Sequence, residues 1–115
     1  MLMTNLHKKK CIACSGEMPA LNEKEIHSLN LELSGWTVIT NQEGIKMITK
    51  YIKFEDFKNS LDFVNKLSAI AEQEGHHPDI TFGWGYANVT IFTHAVKGLT
   101  ESDFILAAKI DQISV

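Results

Sequence analysis

The stretch Glu72-Gln73-Glu74-Gly75-His76-His77-Pro78 closes the longest helical pattern of the chain and precedes a strand pattern. Gly75 suits the left-handed residue that ends a helix, and Pro78 restricts His77 to an extended conformation. We therefore predict that the helix stops at the two histidines. Adjacent residues of a regular strand point to opposite faces, so both histidines can face one ligand only if the chain turns between them, and Gly75 can supply that turn.

Two interpretations of this histidine pair stay open from the residues alone. Imidazole changes charge near neutral pH, so His76 and His77 at an irregular stretch of backbone indicate a proton-transfer site. Glu72 lies four residues before His76, one helical turn away, where its carboxylate can fix the tautomer of the ring. The alternative is a helix C-cap whose histidines only interact with the helix dipole.

The composition indicates one ordinary domain and narrows the choice of ligand. With 115 residues and 44% hydrophobic content, the chain can bury a core of its own. A net charge of -3 gives no basic surface for nucleic acid. The basic residues are all lysines, so the two-pronged arginine clamp for phosphate or carboxylate groups is missing. A neutral ligand is therefore favoured over an anionic one.

The sequence also predicts a location for the protein. No apolar run is long enough to cross a bilayer, and the N-terminus lacks the continuous apolar segment of a secretory signal. We therefore expect a cytoplasmic protein that contacts no membrane.

The N-terminal region carries a Cys11-Ile12-Ala13-Cys14 pair that admits several interpretations. Such spacing serves zinc binding, redox exchange or neither, and no second pair completes a four-ligand zinc site. Residues 1–21 show no period and contain Gly16 and Pro19, so we predict a flexible or loosely docked extension. Residues 22–115 then form the single folded domain.

Apolar periodicity and turn residues predict the elements of this domain. In order they are a helix capped by Asn22 and Glu25, a strand from Trp36 to Ile39, a strand from Ile45 to Phe54, a helix from Glu55 to Glu74, strands at Ile80–Trp84 and Ala87–His94, and a final helix capped by Thr100 and Asp103. The prediction is an α+β fold in which two hairpins form a four-stranded antiparallel sheet. Three helices pack on one face, in the order α-β-β-α-β-β-α.

Alternation in the last strand predicts which side chains face the core. Ala87, Val89, Ile91 and Thr93 share one face, whereas His94 belongs to the other. His94 therefore points away from the main apolar face. We expect Trp36 to be a core residue.

These features together resemble the pterin-4a-carbinolamine dehydratases. The pattern consists of Glu72, His76, His77, Pro78, Trp84, His94 and Asp103. Several coupled spacings make it far more specific than one histidine pair. The resemblance spans about Asn22 to Val115 and leaves the cysteine region outside the family pattern.

The resemblance implies dehydration of 4a-hydroxytetrahydrobiopterin to a quinonoid dihydropterin, with no metal or organic cofactor. The product is recycled to the tetrahydropterin that aromatic amino acid hydroxylases use. The resemblance also implies that His76, His77 and His94 form the catalytic site. Our hypothesis is that His77 and His94 exchange protons with the substrate while His76 orients it, because Pro78 holds His77 extended and His94 faces away from the core.

We expect the remaining residues of the pattern, together with Thr93 beside His94, to surround the substrate. Glu72 supports the histidines, and Thr93 contacts the pterin through its backbone. Asp103 either reaches the site or caps its helix. Trp84 forms packing or a pocket wall. Pro78 fixes the pose of its neighbour and completes the set.

Other functions remain possible from the sequence alone. Three histidines with Glu72 can form a zinc site with an open position. Some members of the family also act as dimerisation cofactors of a homeodomain transcription factor, which is a binding function without activity. The resemblance further implies a homodimer or homotetramer, for which exposed hairpin edges give a physical reason.

Overall fold

A computed structural model describes residues 5–12 and 19–114 of the chain. Its helices are α1 (Glu23–Asn30), α2 (Phe57–Glu74) and α3 (Glu101–Asp111), and its strands are β1 (Thr37–Thr40), β2 (Lys46–Lys53), β3 (Asp79–Gly83) and β4 (Tyr86–Ile91). The strands form one antiparallel sheet in the order β1-β2-β4-β3. The predicted α+β class, the order of elements and the two hairpins are confirmed.

The predicted cap residues set the limits of the helices. At the start of α1, Asn22 Oδ1 accepts from the Glu25 N–H at 2.8 Å and Glu25 Oε1 accepts from the Asn22 N–H at 2.9 Å. Asp56 caps α2, which therefore begins slightly later than predicted. Gly75 ends α2 in the left-handed conformation, with φ +66°, so the helix stops before the histidines as predicted.

The core lies between the sheet and the helices, and β4 forms its centre. Ala87, Val89 and Ile91 are fully buried, as the alternation in the sequence predicts. Leu67 of α2 and Phe104 of α3 are also fully buried and belong to the same cluster. Trp36 is buried too, which confirms it as a core residue, and its ring N–H donates to Asp111 Oδ1 at 2.9 Å.

Strand β4 ends at Ile91, three residues before the predicted end. Thr93 forms an isolated antiparallel bridge with Gly98, in which the Thr93 N–H donates to Gly98 O at 2.8 Å. The chain between them makes a 3₁₀ turn from His94 to Val96 that closes on the left-handed Lys97, with φ +52°. His94 is thus exposed on a tight turn that is held at both ends, and it does not belong to a strand.

The described part of the N-terminal region contacts α3. Leu6 lies in a 3₁₀ turn, Leu6–Lys8, and is buried in the core cluster. Lys109 Nζ donates to the backbone oxygen of His7 at 2.9 Å. The flexibility of residues 1–21 and the domain boundary stay predictions, and Cys14 lies outside the described residues. Within residues 5–12 and 19–114, no helix has the length and apolar character needed to span a membrane.

Candidate functional site

A cavity of about 460 Å³ opens where the end of α2 meets the end of β4. It is lined by His76, His77, Pro78, Thr93 and His94, all of which the sequence placed in the site. The turn at Gly75 supplies the first two histidines, and the bridged turn after β4 supplies His94. Two separate irregular segments therefore bring three imidazoles to one cavity.

His76 is anchored by a buried carboxylate. Its Nε2 lies 2.6 Å from Asp103 Oδ1, and the side chains are 14% and 0% exposed. An ionised carboxylate only accepts hydrogen bonds, so Nε2 of His76 carries the proton and donates it. This fixes the tautomer and the orientation of the His76 ring.

Asp103 has further partners that hold it in place. Its Oδ2 accepts from the Thr100 N–H at 2.8 Å and from the Thr93 hydroxyl at 2.8 Å. The Thr93 and Thr100 hydroxyl oxygens lie 3.0 Å apart. The sequence offered helix capping and a place in the site as alternatives for Asp103. The structure combines them, because one oxygen caps α3 while the other holds His76.

His77 has a carboxylate partner in a different environment. Its Nε2 lies 2.6 Å from Glu72 Oε2, and the side chains are 59% and 79% exposed. The sequence placed this carboxylate one helical turn below His76. That placement was wrong because the left-handed Gly75 ends the helical spacing, and the His76 N–H turns back to Ala71 O at 3.2 Å. Glu72 therefore contacts the next histidine along the chain.

His94 is exposed at the mouth of the cavity. Its ring lies against the half-buried ring of Phe92, with 4.1 Å between the centroids. Phe92 also lines the cavity and gives it an apolar wall. Thr93 lies between Phe92 and His94 in the sequence. Its backbone N–H and carbonyl both form hydrogen bonds with Gly98.

Trp84 does not join the other predicted site residues. It lies in the turn between β3 and β4 and is largely exposed. Strand β3 starts beside His77 and runs for five residues before this turn, a distance of more than about 10 Å. Trp84 is therefore at the far end of the hairpin from the cavity.

The structure adds residues that the sequence analysis did not place in the site. Cys11 and Ile12 line the cavity beside the histidines. The Cys11 N–H donates to Glu74 Oε1 at 2.9 Å, and this bond lowers the pKa of Glu74 below its ordinary value of 4.5. Burial, reinforced by the nearby Glu74 carboxylate, raises the pKa of the Cys11 thiol to about 12. The bond joins residues 63 positions apart, so no local pattern could have revealed it.

No candidate metal site accompanies the three histidines in the part of the chain that the structure describes. Across residues 5–12 and 19–114, no three His, Cys, Asp or Glu side chains are arranged as metal ligands. The carboxylates nearest to His76 and His77 each contact an imidazole nitrogen.

Curated relatives that share one name match nearly the whole chain. A protein from Rickettsia canadensis, provisionally named pterin-4-alpha-carbinolamine dehydratase, is 54% identical over 95% of this chain and 97% of its own. A protein of the same provisional name from Rubrobacter xylanophilus is 43% identical over 96% of this chain and all of its own.

A solved structure shares the fold. The crystal structure of a transcriptional coactivator/pterin dehydratase from Brucella melitensis is 32% identical, with a TM-score of 0.73, over 80% of this chain and 95% of that one. The model of the family described as pterin 4 alpha carbinolamine dehydratase matches residues 19–113. The chain therefore belongs to the pterin 4a-carbinolamine dehydratase family of hydro-lyases.

Proposed function

We propose that the protein dehydrates 4a-hydroxytetrahydrobiopterin to the quinonoid dihydropterin and water by histidine acid/base catalysis. The observation that carries the proposal is the convergence of His76, His77 and His94 on one cavity. Membership of the family supports the substrate class. A flat, neutral pterin also agrees with a chain that has no arginine to clamp an anion.

The reaction needs an acid and a base at neighbouring atoms. A proton leaves the ring nitrogen while the hydroxyl on the adjacent carbon accepts a proton and departs as water, and a carbon–nitrogen double bond forms. Imidazoles can fill either role near neutral pH. The cavity holds three of them, so one can orient the substrate while the others transfer protons.

We assign the roles from the different surroundings of the rings. His76 is held by the buried Asp103, so its Nε2 is already engaged and its ring suits orientation of the substrate. His77 and His94 are exposed at the cavity, where a proton can be exchanged with substrate and then with water. Pro78 and Phe92 form walls, and Thr93 supports the site through Asp103.

Stopped-flow absorbance of carbinolamine decay, with substrate generated by a hydroxylase in situ, tests the proposal. We expect wild type to accelerate the decay, and His77→Ala and His94→Ala each to reduce kcat by about 100- to 10,000-fold. His76→Ala should raise KM more than it lowers kcat. His27→Ala is the matched control, because His27 is an exposed histidine of α1 that does not line the cavity.

Three outcomes would contradict the proposal or its assignment of roles. No acceleration by well-folded wild type would remove the dehydratase function. Full turnover in both His77→Ala and His94→Ala would leave the function and remove our assignment of roles. A turnover loss in the His27→Ala control would show that the effect is not specific to the cavity.

The proposed reaction places the protein beside a pterin-dependent aromatic amino acid hydroxylase and a dihydropterin reductase, which we propose share the cytoplasm with it. Faster steady-state tyrosine formation when the protein is added to a phenylalanine hydroxylase assay would support this link. Strands β1 and β3 are the edges of the sheet, and among residues 5–12 and 19–114 no further strand pairs with their outer sides. We propose a homodimer or homotetramer, which light scattering distinguishes from a monomer.

A further inference from the structure

The N-terminal strap, residues 5–12, runs along α3 and ends at the cavity. Leu6 is buried in the core, and Lys9 Nζ contacts Glu101 Oε2 at 2.9 Å. The strap reaches the cavity at Cys11 and Ile12. It lies outside the part of the chain that matches the family model, which starts at residue 19.

The cavity end of the strap is fixed by Ser102 and Glu74. Ser102 Oγ accepts from the Ile12 N–H at 2.9 Å and donates to Ile12 O at 3.2 Å, so one buried hydroxyl binds both backbone groups of Ile12. Glu74 Oε1 accepts from the Cys11 N–H at 2.9 Å, and Glu74 Oε2 lies 3.5 Å from Lys109 Nζ.

These contacts couple the strap to the histidines. Glu74 is the last residue of α2, two positions before His76, and Ser102 is next to Asp103, which holds the His76 ring. The strap therefore has a fixed position relative to the imidazoles.

The fixed backbone places the Ile12 side chain at the cavity. It lines the cavity and is 66% exposed, although the Ile12 backbone is held by hydrogen bonds on both its N–H and its carbonyl. Phe92 also lines this cavity. A flat ligand in the cavity would cover apolar surface on Ile12 and gain the free energy of that burial.

We propose that the strap is a wall of the substrate site and that Ile12 is a binding residue for the flat face of the pterin ring. The proposal rests on the proposed function for the identity of the ligand. Because Ile12 carries no proton-transferring group, its contribution is the same in the ground state and the transition state. Such uniform binding changes KM and leaves kcat unchanged.

Steady-state kinetics of Ile12→Ala provides the test, with Leu31→Ala as the matched control. Leu31 is an aliphatic residue of the same size that is 73% exposed at the end of α1, and it does not line the cavity. We expect Ile12→Ala to raise KM about threefold to tenfold at unchanged kcat, and Leu31→Ala to change neither. Ser102→Ala should raise KM in the same direction, because it releases the backbone that positions Ile12.

A direct binding measurement separates this inference from the proposed function. Titration of a 7,8-dihydropterin, which keeps the ring system but lacks the 4a-hydroxyl, should shift the NMR signal of the Ile12 δ methyl group. It should bind Ile12→Ala about threefold to tenfold more weakly than wild type. If wild type showed no dehydratase activity but these binding effects were observed, the proposed reaction would be wrong and the role of the strap as a wall would still stand.

If wild type is active and Ile12→Ala changes neither KM nor the affinity for the dihydropterin, the proposed role of Ile12 is wrong. The proposed reaction would still stand. Equal KM increases in Ile12→Ala and Leu31→Ala would also overturn the proposed role of Ile12, because the effect would then not depend on the cavity. A wild type that neither turns over the carbinolamine nor binds the dihydropterin would remove both.

Discussion

The two histidines that follow α2 each contact a carboxylate at 2.6 Å, yet the two pairs are different in kind. The His76–Asp103 pair is buried, and its carboxylate has further partners on α3 and after β4. The His77–Glu72 pair is open to solvent and joins the last turn of α2 to a residue three positions beyond its end. The two pairs therefore have the same distance between nitrogen and oxygen but contribute differently to stability.

The difference follows from the surroundings of the charges. Water screens the exposed pair, so such a pair adds little to stability. A buried carboxylate has lost its hydration and depends on the donors that surround it, so removing one side of a buried pair is costly. The buried pair is thus suited to hold a ring in place, whereas the exposed pair leaves its imidazole accessible to water.

Asp103→Ala should have the largest effect on stability. It leaves the Thr100 N–H, the Thr93 hydroxyl and His76 Nε2 without their shared acceptor, and it removes the carboxylate half of the capping box of α3. We expect the free energy of unfolding in urea to fall by about 3–5 kcal/mol. The matched variant Glu72→Ala should stay within about 0.5 kcal/mol of wild type. Similar losses in both variants would contradict the distinction between the pairs.

Replacing the histidines should change the free energy of unfolding less than replacing Asp103. His76→Ala removes one donor from Asp103 but leaves the threonine donors, so we expect a loss of about 1–2 kcal/mol in the same measurement. His77→Ala should change stability by less than about 0.5 kcal/mol. The order should reverse for kcat, where His77→Ala has the larger effect. If His77→Ala destabilised the protein as much as His76→Ala, the exposed pair would have a structural role.

The sequence predicted what depends on neighbouring residues. Helix caps act on backbone groups within a few positions, so the helix limits that they predict are close to those observed. The capping residues are Asn22 with Glu25 for α1, Gly75 for α2, and Thr100 with Asp103 for α3. Alternation in β4 correctly predicted which side chains are buried.

Contacts that the spacing rules of helices and strands do not describe were predicted less well. Glu72 was assigned to the wrong histidine because the spacing rule for a helix fails once Gly75 turns the chain. The bond from Cys11 to Glu74 and the wall formed by Ile12 join segments that only the fold brings together. The early end of β4 depends on the bridge from Thr93 to Gly98, which has no signal in the alternation.

Glu74 provides a third carboxylate, intermediate between the two pairs. Its pKa is lowered mainly by the Cys11 N–H and also by Lys109. Below the ordinary value of 4.5, the unfolded chain takes up a proton that the folded chain refuses, so acid favours unfolding. The stabilisation is therefore complete above about pH 5 and is lost as the pH falls through the folded pKa.

Glu74→Gln should be less stable than wild type by about 1 kcal/mol above pH 5, because the amide keeps an acceptor but loses the charge. The difference should shrink towards pH 3. Urea unfolding of both proteins at several pH values measures it. A difference that stays constant across this range would contradict a role for the charge of Glu74.

Glu72→Gln should have the smallest effect. The amide is nearly the same size as the carboxylate and lies equally exposed beside His77, so only a screened charge is lost. We expect a change in unfolding free energy below about 0.5 kcal/mol, which disappears in about 1 M salt, where charges are screened within about 3 Å. The His76–Asp103 pair is shielded from added ions, so the loss caused by Asp103→Ala should persist at the same salt concentration. A loss of more than about 1 kcal/mol for Glu72→Gln that survives high salt would show that the exposed pair is desolvated in solution, and its imidazole would then be held as firmly as that of His76.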